Sequence, residues 1–143
     1  MISCTRKLRW EAAHRVMRHE SKCAHLHGHS YSAEITCTVD ALDSVGRVVD
    51  FGVIKASVGA WIDETWDHGT LVNGEDLTLM EWLRSNGQRY YSFVDAEGNG
   101  IEPTAENIAA ELLYISRYLL EHTEVSVVGV IVHETVNCSA GVM

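Results

Sequence analysis

The clearest hydrophobic pattern in the chain is a strict alternation over residues 31–39. Five apolar side chains share one face of this segment, and polar ones occupy the other: Tyr31, Ala33, Ile35, Cys37 and Val39 against Ser32, Glu34, Thr36 and Thr38. This period of two predicts a half-buried β-strand. Residues 2–12 alternate less regularly, because Arg6 interrupts the face of Leu8 and Trp10. We predict that they form the hairpin partner of the first strand.

Two later segments have helical spacing instead. Apolar residues recur every three or four positions from Asp50 to about Trp66, which predicts a helix. A second helix is predicted after Pro103, with Thr104 as N-cap and Glu106 in the first turn. Its apolar stripe consists of Ile108, Leu112, Ile115 and Leu119.

The remaining segments complete the expected order. Val125–Val132 is almost entirely β-branched, which predicts a strand covered on both faces. Residues 71–102 have no clear period, apart from a possible short strand at 89–94. The order β-β-α-α-β-β predicts an α+β fold, with an antiparallel sheet and two helices on one face. We expect residues 1–143 to form a single domain.

Composition narrows the class of protein. The chain has 143 residues, of which 46% are hydrophobic and 22% charged, the balance of a globular domain. No apolar run approaches the roughly 20 residues that span a bilayer, and no apolar stretch marks a secretory signal. We therefore expect a cytoplasmic protein without membrane association. Its four cysteines are then expected to be thiols, because that compartment is reducing.

The charge distribution is uneven. The net charge of −9 argues against binding to nucleic acid, which requires a basic surface. Residues 1–22 nevertheless contain six basic and two acidic residues, a local charge of +4. This segment either binds an anion or forms a solvated strand face.

A histidine cluster is the strongest chemical signal. In a strand, residues at i and i+2 point to the same side, so His27 and His29 face one spot with Gly28 between them. His14 is expected to lie across the hairpin and to supply a third nitrogen. Three histidines with an open fourth position are typical of catalytic zinc. The alternative is a scatter of surface histidines, and His25 has the strand parity to be confused with a ligand.

Three other positions have candidate chemistry. Cys23 is either a fourth zinc ligand that closes the site or an acid/base beside the metal. Asp67 precedes His68, and an adjacent carboxylate can orient an imidazole that acts as a base. Glu134 ends an apolar strand, where it either meets water or waits as a carboxylate for a ligand with two donors.

Six motifs together identify a resemblance. The chain resembles the 6-pyruvoyltetrahydropterin synthase and 6-carboxytetrahydropterin synthase family over most of its length, with the motifs in family order. They are Glu11–His14, Cys23–His29, Val49–Phe51, Asp67–His68, Pro103–Asn107 and His133–Thr135.

The resemblance implies a fold, an assembly and residue roles. The fold is the tunnelling fold, whose subunits form barrels, typically as a hexamer built from a dimer of trimers with active sites between subunits. His14, His27 and His29 resemble the ligands of Zn²⁺, and Cys23, Asp67 and His68 the catalytic residues. Glu134 resembles the anchor of the pterin ring, and Thr104 is a weaker candidate for contacting the same ring.

The spacing within the second motif indicates the subgroup. Three residues separate Cys23 from His27, as in the queuosine-pathway enzymes, whereas the pyruvoyl-forming enzymes have five. The resemblance therefore implies a 6-carboxy-5,6,7,8-tetrahydropterin synthase acting on 7,8-dihydroneopterin triphosphate. A triphosphate needs positive charge, so the basic N-terminal segment is its expected site. The alternatives are the 6-pyruvoyl reaction, a non-catalytic zinc module closed by Cys23, and a plain zinc hydrolase. The insert of about 34 residues after His68 is expected to reshape the pocket mouth.

Overall fold

The computed structural model describes residues 1–143. It contains six strands: β1 Ser3–His14, β2 His27–Thr38, β3 Gly69–Asn73, β4 Tyr90–Phe93, β5 Ser126–His133 and β6 Ser139–Val142. The helices are α1 Phe51–Ile54, α2 Ala60–Thr65, α3 Leu77–Ser85 and α4 Ala105–Leu120. A π-helical turn, Lys55–Gly59, joins α1 to α2, so that one helical segment occupies almost the whole range predicted for the first helix. No helix has the length and apolar character that would let it cross a bilayer.

All six strands belong to one mixed sheet in the order β4-β3-β1-β2-β5-β6. The pairs β1–β2, β2–β5 and β5–β6 are antiparallel, as predicted. The insert departs from the prediction, because β3 and β4 extend the sheet in parallel. β3 pairs with β1 only over residues 12–14, so the earlier part of β1 has no strand on that side.

The main core lies between one face of the sheet and the helices. The alternation of β2 is confirmed, since Tyr31, Ala33, Ile35 and Cys37 are all buried. On β1 the same face presents Trp10, whose ring stacks on Tyr31 with centroids 5.1 Å apart. α4 covers this face with the stripe that begins at Ile108.

N-caps are present at both helical segments, and the one predicted at Thr104 is confirmed. The carboxylate of Asp50 accepts a hydrogen bond from the N–H of Gly52 at 2.8 Å. The hydroxyl of Thr104 accepts one from the N–H of Asn107 at 3.3 Å. Side-chain oxygens at these positions satisfy N–H groups that have no partner within the helix.

The insert has more structure than its sequence pattern predicts. The short strand near residues 89–94 is confirmed as β4, but β3 and α3 were not predicted. α3 begins after Asp76, whose carboxylate caps the N–H of Leu79. It packs on Val72 in a small separate cluster, whereas the neighbouring Leu71 belongs to the main core. Because successive strand residues face opposite ways, α3 lies on the other face of the sheet.

The prediction that β5 is covered on both faces is wrong for this chain. Val127, Val130 and Val132 are buried, but Val128 and Ile131 on the other face are only half-buried. No helix lies over that face of β5, and a register shift at Thr36/Cys37 places two residues between the first two buried valines. The apolar, β-branched composition of β5 therefore reflects strand propensity as much as burial.

Candidate metal centre and surrounding site

The β1–β2 hairpin brings three histidines together. His14 is the last residue of β1 and pairs directly with His27, the first residue of β2. His29 lies two residues further along β2 and points to the same side. Gly28 between them packs closely, since a Cβ there would lie 3.3 Å from the carbonyl oxygen of Ala12. The strand register thus produces the convergence that the spacing predicts.

Backbone carbonyls orient two of the three rings. The Nδ1–H of His14 donates to the carbonyl of Pro103 at 2.8 Å, and that of His27 to the carbonyl of His25 at 2.7 Å. A neutral imidazole has one N–H, so Nε2 carries a lone pair in both rings. These two Nε2 atoms lie 3.2 Å apart. With no proton to share, their lone pairs repel each other unless a cation lies between them.

His29 completes the cluster. Its Nε2 is buried and has no hydrogen-bond partner. The ligand atoms of His14, His27 and His29 all lie within 4.8 Å of one another. Burial lowers the pKa of His14 to about 4, although its bond to Pro103 opposes the shift. At neutral pH the His14 ring is therefore a neutral lone-pair donor, and the cluster could hold a divalent metal ion that prefers nitrogen ligands.

His25 is not part of the cluster, although it has the same strand parity as His27 and His29. It follows the 3₁₀ turn Lys22–Ala24 and is exposed, and β2 begins only at His27. The strand alternation therefore does not extend back to His25. Its contribution is the backbone carbonyl that orients the ring of His27.

Cys23 and Glu134 share a cavity with the cluster. This cavity has a volume of about 330 Å³, and its walls include Cys23, Glu134, Thr104 and His14. An Oε1 atom of Glu134 lies 3.8 Å from Nε2 of His14. Cys23 does not belong to the group of mutually close ligand atoms, which contains only the three histidines. The fourth position of a tetrahedral metal would thus remain open.

The Asp67–His68 turn forms a second constellation. Nδ1 of His68 lies 2.8 Å from Oδ2 of Asp67, so these sequence neighbours do touch. Partial burial raises the pKa of Asp67, but hydrogen bonds from the N–H of Glu11 and from the His68 ring lower it by more. The net pKa of Asp67 therefore lies below the usual value. His68 has a φ of 58°, an uncommon conformation for a residue with a Cβ.

The sheet separates this turn from Cys23. His68 lines a different cavity of about 430 Å³, which also borders His29. The wall of this cavity includes Glu11 and Ser30. Both residues alternate with the histidine positions and so face the opposite side of the hairpin. The side chain of His68 is 78% exposed. Within one chain the predicted catalytic residues therefore line two different cavities, Cys23 that of His14 and His68 the one that borders His29.

The basic N-terminal segment does not act as one surface. Arg15 donates two hydrogen bonds to the carboxylate of Asp76, at 2.6 and 2.5 Å, and Arg18 pairs with Glu75 at 2.8 Å. Arg9 lies five residues before His14 on β1, about 16 Å away at the usual rise. The expectation of a single anion site along residues 1–22 is therefore not met within this chain.

The structure adds residues that the sequence analysis did not single out. His19 and Cys138 also line the cavity of Cys23. Cys138 returns to Glu134 through the turn between β5 and β6, where its carbonyl accepts the Glu134 N–H at 3.1 Å. Arg89 supports the turn before His68 by donating to the carbonyls of Asp63 and Asp67. Of these features, only the turn between β5 and β6 has a signal in the sequence, namely the turn-forming residues after Glu134.

Known proteins place this arrangement in a family. A family model described as 6-pyruvoyl tetrahydropterin synthase matches residues 3–143. The 6-carboxy-5,6,7,8-tetrahydropterin synthase of Rickettsia bellii is 39% identical over 140 residues, covering 96% of this chain and 97% of the relative.

Solved structures have the same fold. An uncharacterized protein from Wolinella succinogenes superposes with a TM-score of 0.82 at 21% identity, covering 99% of this chain and 97% of the other. The 6-pyruvoyl tetrahydropterin synthase of Caenorhabditis elegans gives 0.68 at 19% identity, covering 99% and 94%. The expected tunnelling fold is thus confirmed, and the chain belongs to the 6-pyruvoyl tetrahydropterin synthase family.

Proposed function

We propose that this chain is a zinc-dependent 6-carboxy-5,6,7,8-tetrahydropterin synthase, a carbon–carbon lyase. It would convert 7,8-dihydroneopterin triphosphate and one water molecule into 6-carboxytetrahydropterin, acetaldehyde and triphosphate. The observation that carries the proposal is the convergence of three imidazole nitrogens beside a cavity lined by Cys23 and Glu134. The three-residue spacing between Cys23 and His27 and the names of the relatives support the carboxy product over the pyruvoyl one.

The three histidines suit zinc. Zn²⁺ binds imidazole nitrogen at about 2.0–2.1 Å, so two nitrogens on one tetrahedral ion lie about 3.3 Å apart. The 3.2 Å between Nε2 of His14 and Nε2 of His27 is close to this value. When bound, zinc would supply Lewis-acid polarisation of oxygen atoms on the substrate side chain.

Glu134 is proposed to anchor the pterin ring. A carboxylate can accept two parallel N–H bonds from the 2-amino-4-oxopyrimidine edge. Glu134 lies at the cavity wall with its side chain 24% exposed, and its Oε1 is 3.8 Å from Nε2 of His14. Its carboxylate is therefore accessible from the cavity that His14 borders. Thr104 lines the same cavity, although its hydroxyl also caps α4.

Proton transfer is assigned to two groups. Cys23 would exchange a proton at Sγ with the substrate from within the cavity. Asp67 would hold the Nδ1–H of His68 and leave Nε2 as the second acid/base position. Because His68 lies on the other side of the sheet in its own chain, we propose that it serves the cavity of a neighbouring subunit.

An oligomeric barrel is consistent with the open sheet edges. β6 is one edge, and most of β1 lacks a strand partner on the side of β3. Strand pairing between subunits would cover both edges and bring His68 of one copy towards Cys23 of another. We propose a homohexamer built as a dimer of trimers, whose mass can be measured by light scattering.

Location and pathway complete the proposal. All four cysteines are free, which agrees with a reducing, cytoplasmic compartment. The pathway proposed is queuosine or another deazapurine, with no nucleic acid or membrane as a partner of this chain.

Product identification tests the reaction directly. The zinc-loaded protein is incubated with 7,8-dihydroneopterin triphosphate, and pterins and aldehydes are identified by mass spectrometry. Equal amounts of 6-carboxytetrahydropterin and acetaldehyde are expected. Triphosphate release with a 6-pyruvoyl product and no aldehyde would assign the alternative reaction, and no turnover would favour a zinc-binding module.

A further inference from the structure

The loop that carries Cys23 has little regular structure of its own. It joins the end of β1 to the start of β2, and its one helical feature is the 3₁₀ turn Lys22–Ala24. The N–H of Val16 donates to the carbonyl of Cys23 at 2.9 Å, which closes the loop on itself. The position of Cys23 therefore depends on what holds the residues around Val16.

Glu102 holds the residues immediately after Val16. Its Oε2 accepts the backbone N–H of Met17 at 3.0 Å, and its Oε1 accepts that of Arg18 at 3.1 Å. Both carboxylate oxygens are thus used on adjacent peptide groups of the loop. Hydrogen bonds to an ionised acceptor are roughly twice as strong as neutral ones.

The backbone around Glu102 is itself tied to the metal centre. Its carbonyl accepts the side-chain amide of Asn107 in α4 at 2.9 Å. The next residue, Pro103, is buried and provides the carbonyl that holds Nδ1 of His14. One dipeptide, Glu102–Pro103, therefore contacts both a proposed metal ligand and the loop of the proposed acid/base.

The other end of the insert holds the start of the same loop. Arg15, directly after His14, is bound through two nitrogens by the buried carboxylate of Asp76. Asp76 is in turn fixed as the N-cap of α3. The insert thus contacts the loop at Arg15 and again at Met17 and Arg18, upstream of Cys23.

We propose that Glu102 is a positioning residue, which holds Cys23 at a fixed position relative to the histidine cluster. This inference rests on the proposed function, in which Cys23 exchanges protons with the substrate. It also assigns a role to the insert, which supports the loop from outside the cavity and does not reach into it.

A double-mutant cycle tests the proposal. In the zinc-loaded protein, E102A should lower kcat roughly 10-fold to 100-fold, because misplacement by about 1 Å can cost 100-fold. KM should stay within about threefold, since Glu102 does not line the cavity. In a C23A background the same change should lower the remaining rate less than about twofold, because the group being positioned is gone.

Two variants serve as controls. E75Q removes a carboxylate that pairs with the exposed side chain of Arg18, not with the loop backbone, and should keep the wild-type kcat. E102Q keeps one acceptor oxygen with nearly the same shape, so it should fold if E102A does not. It should give a smaller loss of kcat that also disappears in the C23A background.

Three results would overturn the proposal. They are an unchanged kcat in E102A and E102Q, an equal effect of Glu102 with and without Cys23, and loss of zinc from E102Q by elemental analysis. Full activity of C23A alone would instead contradict the catalytic role of Cys23 in the proposed function, and this proposal with it. A slow C23A with additive effects contradicts only the role of Glu102.

Discussion

The histidine cluster and the Asp67–His68 turn differ in how much of their environment the chain itself supplies. His14 is 2% exposed, its ring is oriented by a buried carbonyl, and its fellow ligands lie on the adjoining strand. His68 has an equally well-defined backbone, held by the carbonyl of Glu11 at 2.7 Å, but its ring faces outward. All three histidines of the first region come from one chain, whereas the second region presents an exposed side chain on a constrained backbone.

A residue of a site can therefore have a well-fixed backbone even where the chain does not supply the groups around its side chain. A positive φ at a residue with a Cβ persists only where its surroundings enforce it, and such residues cluster at functional positions. Around His68 the enforcing contacts come from β1 and from Arg89. An exposed ring on a constrained backbone is what the proposed role of His68 in the cavity of a neighbouring subunit requires.

Loss of a metal ligand should have the largest effect. His27→Ala or His29→Ala should lose zinc and essentially all activity, because two imidazoles hold the ion weakly. His25→Ala is the matched control, since only its backbone carbonyl contacts the cluster, and it should keep the metal. Elemental analysis is the measurement, and full zinc occupancy in both ligand variants would remove these residues from the site.

Cys23→Ala should lower kcat by about 10²-fold to 10⁴-fold, the range of a positioned acid/base, while zinc and oligomeric state are retained. Cys4→Ala, a half-buried cysteine at the far end of β1, should be active. Steady-state rates and metal content are compared for both. Near-wild-type turnover by the Cys23 variant would contradict its role, and loss of metal would indicate a fourth ligand.

Glu134→Gln should weaken pterin binding, because an amide must turn one N–H towards a donor of the ring. The loss is on the order of 2–4 kcal/mol, or roughly 30-fold to 1000-fold in affinity. Stability should change far less, since Gln is nearly isosteric at this partly exposed position. Calorimetric titration with a pterin, beside a thermal melt, separates the two effects, and unchanged affinity would mean that Glu134 only ends a strand.

The metal-free protein should lose stability in mild acid through His14. The unfolded chain binds this proton near pH 6.5, but the folded chain only near pH 4. Protons therefore favour unfolding as the pH falls through this window, and the full effect is about 3 kcal/mol below it. Above pH 6.5 the effect is absent. Urea unfolding of metal-free wild type and His14→Gln measures it, and equal pH slopes for both would contradict the assigned burial.

The sequence predicts the first region well because its geometry is local. Strand alternation and a hairpin register place His14, His27 and His29 together, and the same rule identified the core face of β2. The rule does not apply to His25, because the strand begins two residues later. Sequence spacing does not show where a strand starts when a 3₁₀ turn precedes it.

The insert was harder to predict for physical reasons. All five residues of β3 are buried, so no alternation marks it, and it pairs with β1 over only three positions. The contacts of Glu102 and Arg15 join residues that are 85 and 61 positions from their partners. From sequence alone, charged side chains so far apart are predicted to be exposed to solvent, and only the folded structure shows that they are paired. The separation of Cys23 from His68 was equally hidden, because it depends on which face of the sheet each one reaches.

The most direct test of the account is complementation between two inactive variants. Cys23→Ala and His68→Ala are each purified as inactive protein, unfolded, mixed in equal amounts and refolded together, and turnover of 7,8-dihydroneopterin triphosphate is measured. If Cys23 of one subunit works with His68 of its neighbour, random assembly makes about one quarter of the sites fully wild type, and activity should return to about that fraction. Activity that stays at the level of the separate variants would contradict the claim that the two regions are halves of one site.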